Sequence, residues 1–386
     1  MSAAAAPTGG MTGTAARVWL RRLSIRDFRN LGRLDLSLPQ EGIALIGDNG
    51  QGKTNLLEAI YYLQLLRSMR GARDADLTGF DAAGFHVAAE VVGAERGEVS
   101  VGFERATKRK RILLDGSEPT RMSDALGALP SVVVAPSDVQ LVAGGPAERR
   151  RYLDVVLSLS SRRYLTALQR YRGALARRNA ALREIARSGR DHGPVEVWEP
   201  ALAENGAVLW AERAAWIGSS APEFSRLCTA IGESGETRMR HVSTLSPDSP
   251  PAEQLLRALA SQRTNDVRRG VTHAGPHRDD LELTLSGREL RLFGSGGQQR
   301  TAAIALRMLE GATLRARYEA EPLLLLDDPF AELDARRSSR ILALLRDAGL
   351  GQTMLAVPRA SDIPPELTRL DRWTIAGGLL TPQAHG

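Results

Sequence analysis

Hydrophobic and polar residues alternate near the start of the chain. Residues 17–46 include VWLRRLSIRDFRNLGRLDLSL, with apolar residues at a period close to two, and then the continuous apolar run GIALI, and both patterns predict β-strands. The segment 47–68 predicts a glycine-rich loop followed by an amphipathic helix. Strand-like patterns return over 86–115 and 131–142. This part of the chain therefore predicts sheets around one long helix.

The pattern becomes helical from residue 146. Residues 146–188 carry an apolar stripe at helical spacing, SGRDHGP interrupts it, and 197–218 carries a second stripe. Two helices joined by a short break predict an antiparallel hairpin, and two or three heptads are too few for a long coiled coil. The stripe residues are Tyr164, Leu168, Tyr171, Leu175, Leu182, Ile185, Trp198, Leu202, Leu209 and Trp216.

Strand-like sequence returns after a proline- and serine-rich link, first near LELTLSGREL and then at LLLLDD. The whole pattern predicts an α/β fold with mixed sheets, interrupted by a mainly α-helical insertion. We expect a disordered tail over 1–16, with translation beginning at Met1 or Met11. The predicted units are then an N-terminal part of the head (17–145), a helical arm (146–262) and a C-terminal part of the head (263–386).

Composition adds a charge argument. The formal net charge of the 386 residues is +6, with much of the positive charge from arginine, which favours a polyanionic partner, although a GC-rich genome also yields arginine-rich proteins. Cys228 is the single cysteine, so no disulfide can form within the chain, as is typical of a reducing cytoplasm. No apolar run reaches the ~18 residues of a membrane span. We expect a cytoplasmic protein without membrane contact.

The first chemical motif is the phosphate loop. The sequence from Gly47 to Thr54 matches G-x-x-x-x-G-K-[ST], with a predicted strand before it and a helix after it. Glycines let backbone N–H groups turn towards a phosphate, and the helix adds its positive dipole end. We expect Lys53 to neutralise β- and γ-phosphate oxygens of ATP and Thr54 to bind Mg²⁺. The predicted ATP-binding residues are Gly47, Asp48, Asn49, Gly50, Gln51, Gly52, Lys53, Thr54 and Asn55.

The second motif is a pair of aspartates after a buried strand. Four leucines precede Asp327 and Asp328, so the carboxylates are expected at the end of a central strand. Asp327 is predicted to bind Mg²⁺, and Asp328 to act in catalysis with Lys53 by orienting the attacking water. Lys53 and Asp327 lie more than 270 residues apart, so an insertion must separate them. Two such halves around an arm are typical of ABC-type ATPase heads of chromosome maintenance and repair.

The third motif is Ser295-Gly296-Gly297-Gln298, in front of a strongly helical run. It resembles the ABC signature loop, which in that family contacts the γ-phosphate of ATP bound to a second head. A serine hydroxyl, bare glycine N–H groups and a helix N-terminus suit an outward-facing anion site. Ala331–Asp334 resembles a loop that lines the same interface. The motif therefore predicts an ATP-dependent homodimer.

Together these residues resemble the RecF family of bacterial recombinational repair ATPases, from about residue 17 to the end. The most specific matches are GDNGQGKTNLLEAIYYL, AERRRYLD, GPHRDDLELTLSGREL and LLLLDDPFAELDARR. The resemblance implies an ABC-type head, ATP-dependent dimerisation on duplex DNA or on single-strand/double-strand junctions, and weak DNA-dependent ATP hydrolysis. It also implies cooperation with RecR and RecO in loading RecA at single-strand gaps.

Three features depart from the family pattern. Gly296 stands where the family usually has glutamine, and GFDAAGFHV offers no clear counterpart of the glutamine loop. Val357 and Pro358 stand where ABC heads carry a histidine and this family commonly has threonine. Neither side chain can donate a hydrogen bond to a γ-phosphate, and Pro358 also lacks an N–H. We therefore expect strong ATP binding with slow turnover.

Clusters of basic residues are candidates for DNA phosphate contacts. Such contacts need only cations on one face, and the few aromatic residues argue against a stacking platform for single strands. Solvated faces with local salt bridges are the alternative interpretation. The predicted DNA-binding residues are Lys108, Arg109, Lys110 and Arg111 in a hairpin and Arg149 and Arg150 at the start of the arm, with Arg177 and Arg178 further along it.

A histidine pair remains. His273 and His277 lie four residues apart before Asp279 and Asp280. Glycine and proline between the histidines disfavour a helix and hence a zinc pair, and favour a turn in which Arg278 and the aspartates form a buried charge network.

Two other function classes stay open from sequence. A metabolic phosphotransferase would use the same phosphate loop but would not need SGGQQR, and a chromosome-organising ATPase of the SMC type would need a longer arm.

Overall fold

The computed structural model describes residues 16–188, 195–330, 333–349 and 351–383. The α/β class with mixed sheets is confirmed. The predicted tail lies outside the described residues except for Ala16, as do Ala331 and Glu332 of the predicted interface loop. The strands are β1 (Ala16–Arg17), β2 (Trp19–Phe28), β3 (Leu31–Ser37), β4 (Gly42–Ile46), β5 (Gly84–Val92), β6 (Glu98–Glu104), β7 (Arg109–Leu114), β8 (Ser131–Val134), β9 (Thr237–Val242), β10 (Asp280–Leu285), β11 (Arg288–Glu289), β12 (Ala320–Glu321), β13 (Leu323–Asp327), β14 (Thr353–Val357), β15 (Asp371–Ala376) and β16 (Leu379–Pro382).

Ten α-helices connect these strands within the described part of the chain. Helices α5 and α6 pack along each other as the predicted hairpin, and α7 packs onto both. Among the described residues, no helix is both long and apolar enough to cross a membrane. The helices are α1 (Lys53–Leu65), α2 (Asp74–Leu77), α3 (Gln140–Ala143), α4 (Pro146–Ser160), α5 (Arg162–Ser188), α6 (Glu199–Ile231), α7 (Pro251–Arg269), α8 (Leu290–Phe293), α9 (Gly296–Tyr318) and α10 (Ala335–Asp347).

Two sheets enclose α1. The first is antiparallel, in the order β3-β2-β5-β6-β7, and its alternating buried residues match the predicted period of two. The second has the order β16-β15-β4-β14-β13-β8, and all its pairs are parallel except that of β15 with β16. Parallel strands bring their carboxyl ends to one edge, so the ends of β4, β13, β14 and β8 meet there.

The arm shares its core with the helix that follows the serine–glycine turn. Residues of α4, α5, α6, β9, β10 and α9 form one apolar cluster, in which the Tyr152 hydroxyl donates a hydrogen bond to the Leu306 carbonyl oxygen. The predicted arm boundary at residue 262 falls inside α7, so the helical part continues to Arg269. Pro251, in the sequence interpreted as a link, is in fact the first residue of α7, a position that favours proline.

The interior of the arm contains buried ion pairs. Arg178 is fully buried and binds Asp266 and Glu199 at 2.7 and 3.0 Å, which joins α5 to α7 and α6. Arg213 is also buried and donates to Asp154 at 2.8 Å. Buried charges of this kind need such partners, because an unpaired one costs several kcal/mol.

The histidine segment forms a turn within this network, as predicted, but its partners differ. Asp279 binds Arg213 and His241, and Asp280 binds Arg149, whereas Arg278 is exposed and donates to the Thr272 carbonyl oxygen. Among the described residues, no group of three histidine, cysteine, aspartate or glutamate side chains could hold a metal ion.

His277 is held as a neutral imidazole. Its Nε2 lies 3.0 Å from the Thr272 carbonyl oxygen, which can only accept, so Nε2 donates and Nδ1 accepts from the Tyr171 hydroxyl at 2.7 Å. Burial lowers the pKa of His277 from 6.5 to about 4. The unfolded chain therefore binds more protons than the folded chain between pH 4 and 6.5.

We expect the free energy of unfolding to fall as the pH is lowered through this window, with about 2–3 kcal/mol of the loss arising from His277. Replacing His277 with glutamine should remove that part of the pH dependence. Denaturant unfolding of both proteins at several pH values measures the difference. Equal slopes in the two proteins would contradict the assignment.

Candidate nucleotide site

The phosphate loop bridges β4 and α1. Gly52 precedes the first residue of α1 with φ at +117°, a conformation that L side chains rarely adopt. At Gly47, a Cβ atom would lie 2.4 Å from the Ile375 carbonyl oxygen. The loop therefore requires glycine at both positions, and α1 begins at Lys53 with its N–H groups directed at the loop.

Lys53 lies at the centre of the loop. Its Nζ donates to the carbonyl oxygen of Asp48 at 2.9 Å and also to that of Gly47. Burial lowers the pKa of Lys53, and the negative charges of Asp327 and Asp328 oppose that shift. The ammonium group is thus held beside the glycine loop and close to both carboxylates.

Thr54 and Asp327 meet across the head. The Thr54 hydroxyl oxygen lies 3.0 and 2.8 Å from the two carboxylate oxygens of Asp327. Burial raises the pKa of Asp327, and the hydrogen bond from Thr54 lowers it in part. A hydroxyl and a carboxylate oxygen at this separation are the hard oxygen ligands that Mg²⁺ prefers, so the donor set fits the ion.

Asp328 follows at the end of β13 in an unusual backbone conformation. Its φ is +45°, and its N–H donates to the Ala356 carbonyl oxygen at 2.9 Å. Burial raises the pKa of its carboxyl group, whereas the positive charge of Arg300 lowers it. A carboxylate with a raised pKa is a better proton acceptor than an ordinary surface aspartate.

A pocket of about 350 Å³ collects these side chains. Arg70 and Pro136 also line it, and no motif identified either from sequence. Arg70 follows α1 and donates to Asn55 and Glu58, while Pro136 follows the end of β8, next to β13. The lining residues are Asn49, Gly50, Gly52, Lys53, Thr54, Asn55, Arg70, Pro136, Asp327, Asp328 and Pro358.

The remaining loop residues lie close by. Gly47 and Asp48 contribute their carbonyl oxygens to Lys53, and Gln51 instead accepts from Gly377 and Gly378. The side chain of Val357 is buried, and its carbonyl oxygen accepts from the N–H of Gly47.

The serine–glycine turn faces outward. Ser295 and Gly296 are exposed, and neither they nor Gly297 and Gln298 line the nucleotide pocket of the same chain. Ser295 caps α9: its hydroxyl accepts from the N–H of Gln298, and its own N–H donates to the Gln298 side chain. A Cβ on Gly296 would meet no atom within 4 Å, so the backbone is open to approach from outside.

The structure divides the predicted DNA-binding residues. Lys108, Arg109 and Arg111 are exposed along the edge strand β7 and the turn before it. Lys110 is instead packed inward, with its Nζ 2.9 Å from Asp74 and 5.0 Å from the centre of the Tyr62 ring.

Arg149 does not lie on the predicted DNA-binding surface. It is buried and makes two 2.8 Å hydrogen bonds to Asp280, so its guanidinium cannot reach DNA in this conformation. Arg150 is half-buried and donates to the Asp279 carbonyl oxygen at 2.7 Å. Arg178 is buried as well, while its neighbour Arg177 is exposed and lies over the Trp198 ring.

Comparison with known proteins identifies the family. Residues 19–357 match the family described as RecF/RecN/SMC N terminal domain. The DNA replication and repair protein RecF of Chloroflexus aggregans is 36% identical to this chain, over 94% of the chain and 99% of that protein. The chain belongs to the RecF family.

Another curated RecF and a solved RecF structure also match this chain over most of its length. RecF of Frankia alni is 36% identical over 93% of this chain and 98% of that protein. A solved structure of RecF with ATP, described as a recombination mediator protein of the RecFOR pathway, covers 97% of this chain and 100% of its own, with 27% identity and a TM-score of 0.87. An SMC head domain from Pyrococcus furiosus, 18% identical with a TM-score of 0.54, shares the fold alone.

Proposed function

We propose that this RecF-family chain is an ATP-driven switch of recombinational repair and replication maintenance. ATP binds at the loop of Lys53, two copies close around the nucleotide, and the dimer holds duplex or gapped DNA. One arrangement carries the proposal. Thr54 contacts Asp327 in the nucleotide pocket, while the turn at Ser295 faces outward and does not line the pocket of its own chain.

Each motif has a separate part in this switch. Lys53 and the backbone of the loop hold the β- and γ-phosphates, and Thr54 with Asp327 holds Mg²⁺, which neutralises phosphate charge. Asp328 orients the attacking water and accepts its proton. Ser295 and the N–H groups after it contact the γ-phosphate in the second copy.

Slow hydrolysis is part of the proposal. Val357 directs its side chain into the core, and Pro358, which lines the pocket, has no N–H to donate. The chain thus offers no side-chain donor at these two positions to stabilise charge on the γ-phosphate. We infer a long-lived ATP state, a suitable signal for recruiting RecR and RecO to load RecA at a gap.

Molecular mass tests the switch directly. Light scattering of the full chain should show a monomer without nucleotide and a dimer with Mg²⁺ and ATP, and the dimer should retain duplex DNA. A monomer under all conditions, with phosphate transfer to a small acceptor, would support the phosphotransferase instead.

The exposed cations of the β7 hairpin provide a test of DNA binding. Replacing Lys108, Arg109 and Arg111 with glutamate should weaken duplex binding and reduce the slope of log affinity against log salt by about 2 to 3, if all three contact phosphates. The matched control changes Arg226, Arg238 and Arg346, which are exposed and distant in sequence, to glutamate. Unchanged titrations for the hairpin variant would remove this surface from the DNA site.

A further inference from the structure

A second cavity, of about 420 Å³, adjoins the nucleotide pocket. Thr54, Arg70 and Asp327 line both spaces, so the cavity begins at the residues proposed to bind Mg²⁺. From there it extends between the segment after α1 and helix α4, where Arg67 and Arg151 line it. A small ligand could thus occupy a place next to the γ-phosphate without entering the phosphate loop.

Arg67 and Arg151 differ from the other arginines of this region in their pairing. Nearby Arg70 binds Glu58 at 2.6 Å, and Arg172 binds Asp154 at 2.7 Å. Within the described parts of the chain, neither Arg67 nor Arg151 has an ion pair or a side-chain hydrogen bond. The cavity wall therefore carries two guanidinium groups that no carboxylate of the described residues contacts directly.

These two charges lie close to each other. The pKa of Arg67 is lowered, first by partial burial and then by the positive charges of Arg151 and Arg172, while the negative charge of Asp154 opposes part of that shift. A Cβ on Gly71 would lie 3.5 Å from an Nη atom of Arg151, which places that guanidinium against the loop carrying Arg67 and Arg70. Such an arrangement of like charges is unfavourable by itself and becomes favourable when an anion binds between them.

The acidic residues of the wall do not supply that anion. Asp138 binds Arg307 at 2.6 Å, and Asp327 accepts from Thr54. Glu148 lines the cavity but is exposed, and it forms no ion pair within the described residues. Guanidinium groups bind tetrahedral phosphate oxygens through paired N–H donors, and the cavity has room for such an ion.

We propose that Arg67 and Arg151 form a phosphate-binding site that receives the inorganic phosphate released from ATP. The inference rests on the proposed function. In the hydrolysis, an oxygen of water forms a bond to the γ-phosphorus, the bond from that phosphorus to the β–γ bridging oxygen breaks, and ADP and inorganic phosphate result. One proton of the water passes to Asp328 and then to solvent, the other stays on the inorganic phosphate, and the phosphate moves past Thr54 and Asp327 into the cavity.

Titration of the full chain with inorganic phosphate tests the site. The titration is run with saturating Mg²⁺ and ADP, which occupies the β-phosphate position of the loop and leaves the γ-phosphate position and the cavity open, so the arginine variants decide which of the two holds the bound phosphate. We expect one phosphate to bind, and Arg67→Gln and Arg151→Gln each to weaken it by about tenfold or more, because each removes a charge-assisted hydrogen bond. Arg163→Gln is the matched control, since Arg163 is 71% exposed on α5.

The affinity for Mg²⁺ and ADP, measured in the same samples, separates the two proposals. If the nucleotide does not bind, the proposed function fails. The phosphate site can then still be tested by titrating the nucleotide-free wild type and the arginine variants with inorganic phosphate. If wild type binds no phosphate, or the Arg67→Gln/Arg151→Gln double variant binds it equally well, the phosphate site is overturned.

A DNA phosphodiester has the same chemistry as inorganic phosphate, so a second arm uses a short duplex. If the phosphate that occupies the site comes from ATP, the double variant should bind duplex DNA as wild type does. Inorganic phosphate should then not displace the duplex at constant ionic strength. Loss of duplex binding in the double variant, with displacement of the duplex by phosphate from wild type, would overturn the assignment to ATP and give the site to the DNA backbone.

Discussion

Replacing Ser295 with aspartate should strongly weaken the ATP-dependent dimer and leave nucleotide binding by the monomer unchanged. Aspartate is a favourable N-cap residue, so α9 keeps its cap. Its negative charge would face the γ-phosphate of the second copy, and like charges across an interface cost several kcal/mol. A repulsion of about 3 kcal/mol corresponds to a dissociation constant of the dimer that is roughly 100-fold higher.

The control for this substitution places the same charge elsewhere. Ser261 is exposed on α7, and Ser261→Asp should dimerise as wild type does. Light scattering with Mg²⁺ and ATP measures the dimer, and binding of a fluorescent nucleotide measures the monomer. A Ser295→Asp protein that dimerises normally would show that the turn does not meet the nucleotide of a second copy.

The sequence could predict the fold where motif and local structure coincide. The phosphate loop is continuous in sequence, so its glycines, Lys53 and the start of α1 follow from one short segment. The approach of Asp327 to Thr54 follows from the parallel pairing of the strands, because the carboxyl ends of parallel strands lie at one edge of the sheet.

Tertiary packing decides what the sequence could not. Arg149, Arg150 and Arg151 are consecutive, and a helix turns each towards a different environment. Arg149 meets Asp280 from a strand more than a hundred residues later, whereas Arg151 is exposed and faces the cavity. Charge density alone cannot distinguish these three environments. Arg70 likewise reaches the nucleotide pocket through the fold, with no local motif to identify it.

These contacts connect the arm to the nucleotide site. Asp138 lies just after Pro136, which lines the pocket, and it binds Arg307 on α9, the helix that Ser295 caps. The same helix packs against the arm through Tyr152 and its neighbours. Direct contacts thus join the segment beside the pocket to the helix of the outward-facing turn, and that helix to the arm.

The second large expected effect is a loss of stability when Arg178 is replaced, much larger than the loss from replacing its neighbour Arg177. Arg178→Met should lower the free energy of unfolding by about 3–5 kcal/mol, because Asp266 and Glu199 would lose a buried partner. Arg177→Met should cost only about 0.5–1 kcal/mol, since the lost interaction is an exposed contact with the Trp198 ring. Denaturant unfolding followed by tryptophan fluorescence and far-UV circular dichroism measures both.

Arg178→Lys completes the series, since it keeps the charge but cannot reach both carboxylates with the geometry of a guanidinium. We expect its stability to lie between those of wild type and Arg178→Met. If Arg178→Met were as stable as Arg177→Met, the carboxylates of Asp266 and Glu199 would have to be sufficiently paired by His273 and Arg263, and Arg178 would not be what joins α5, α6 and α7.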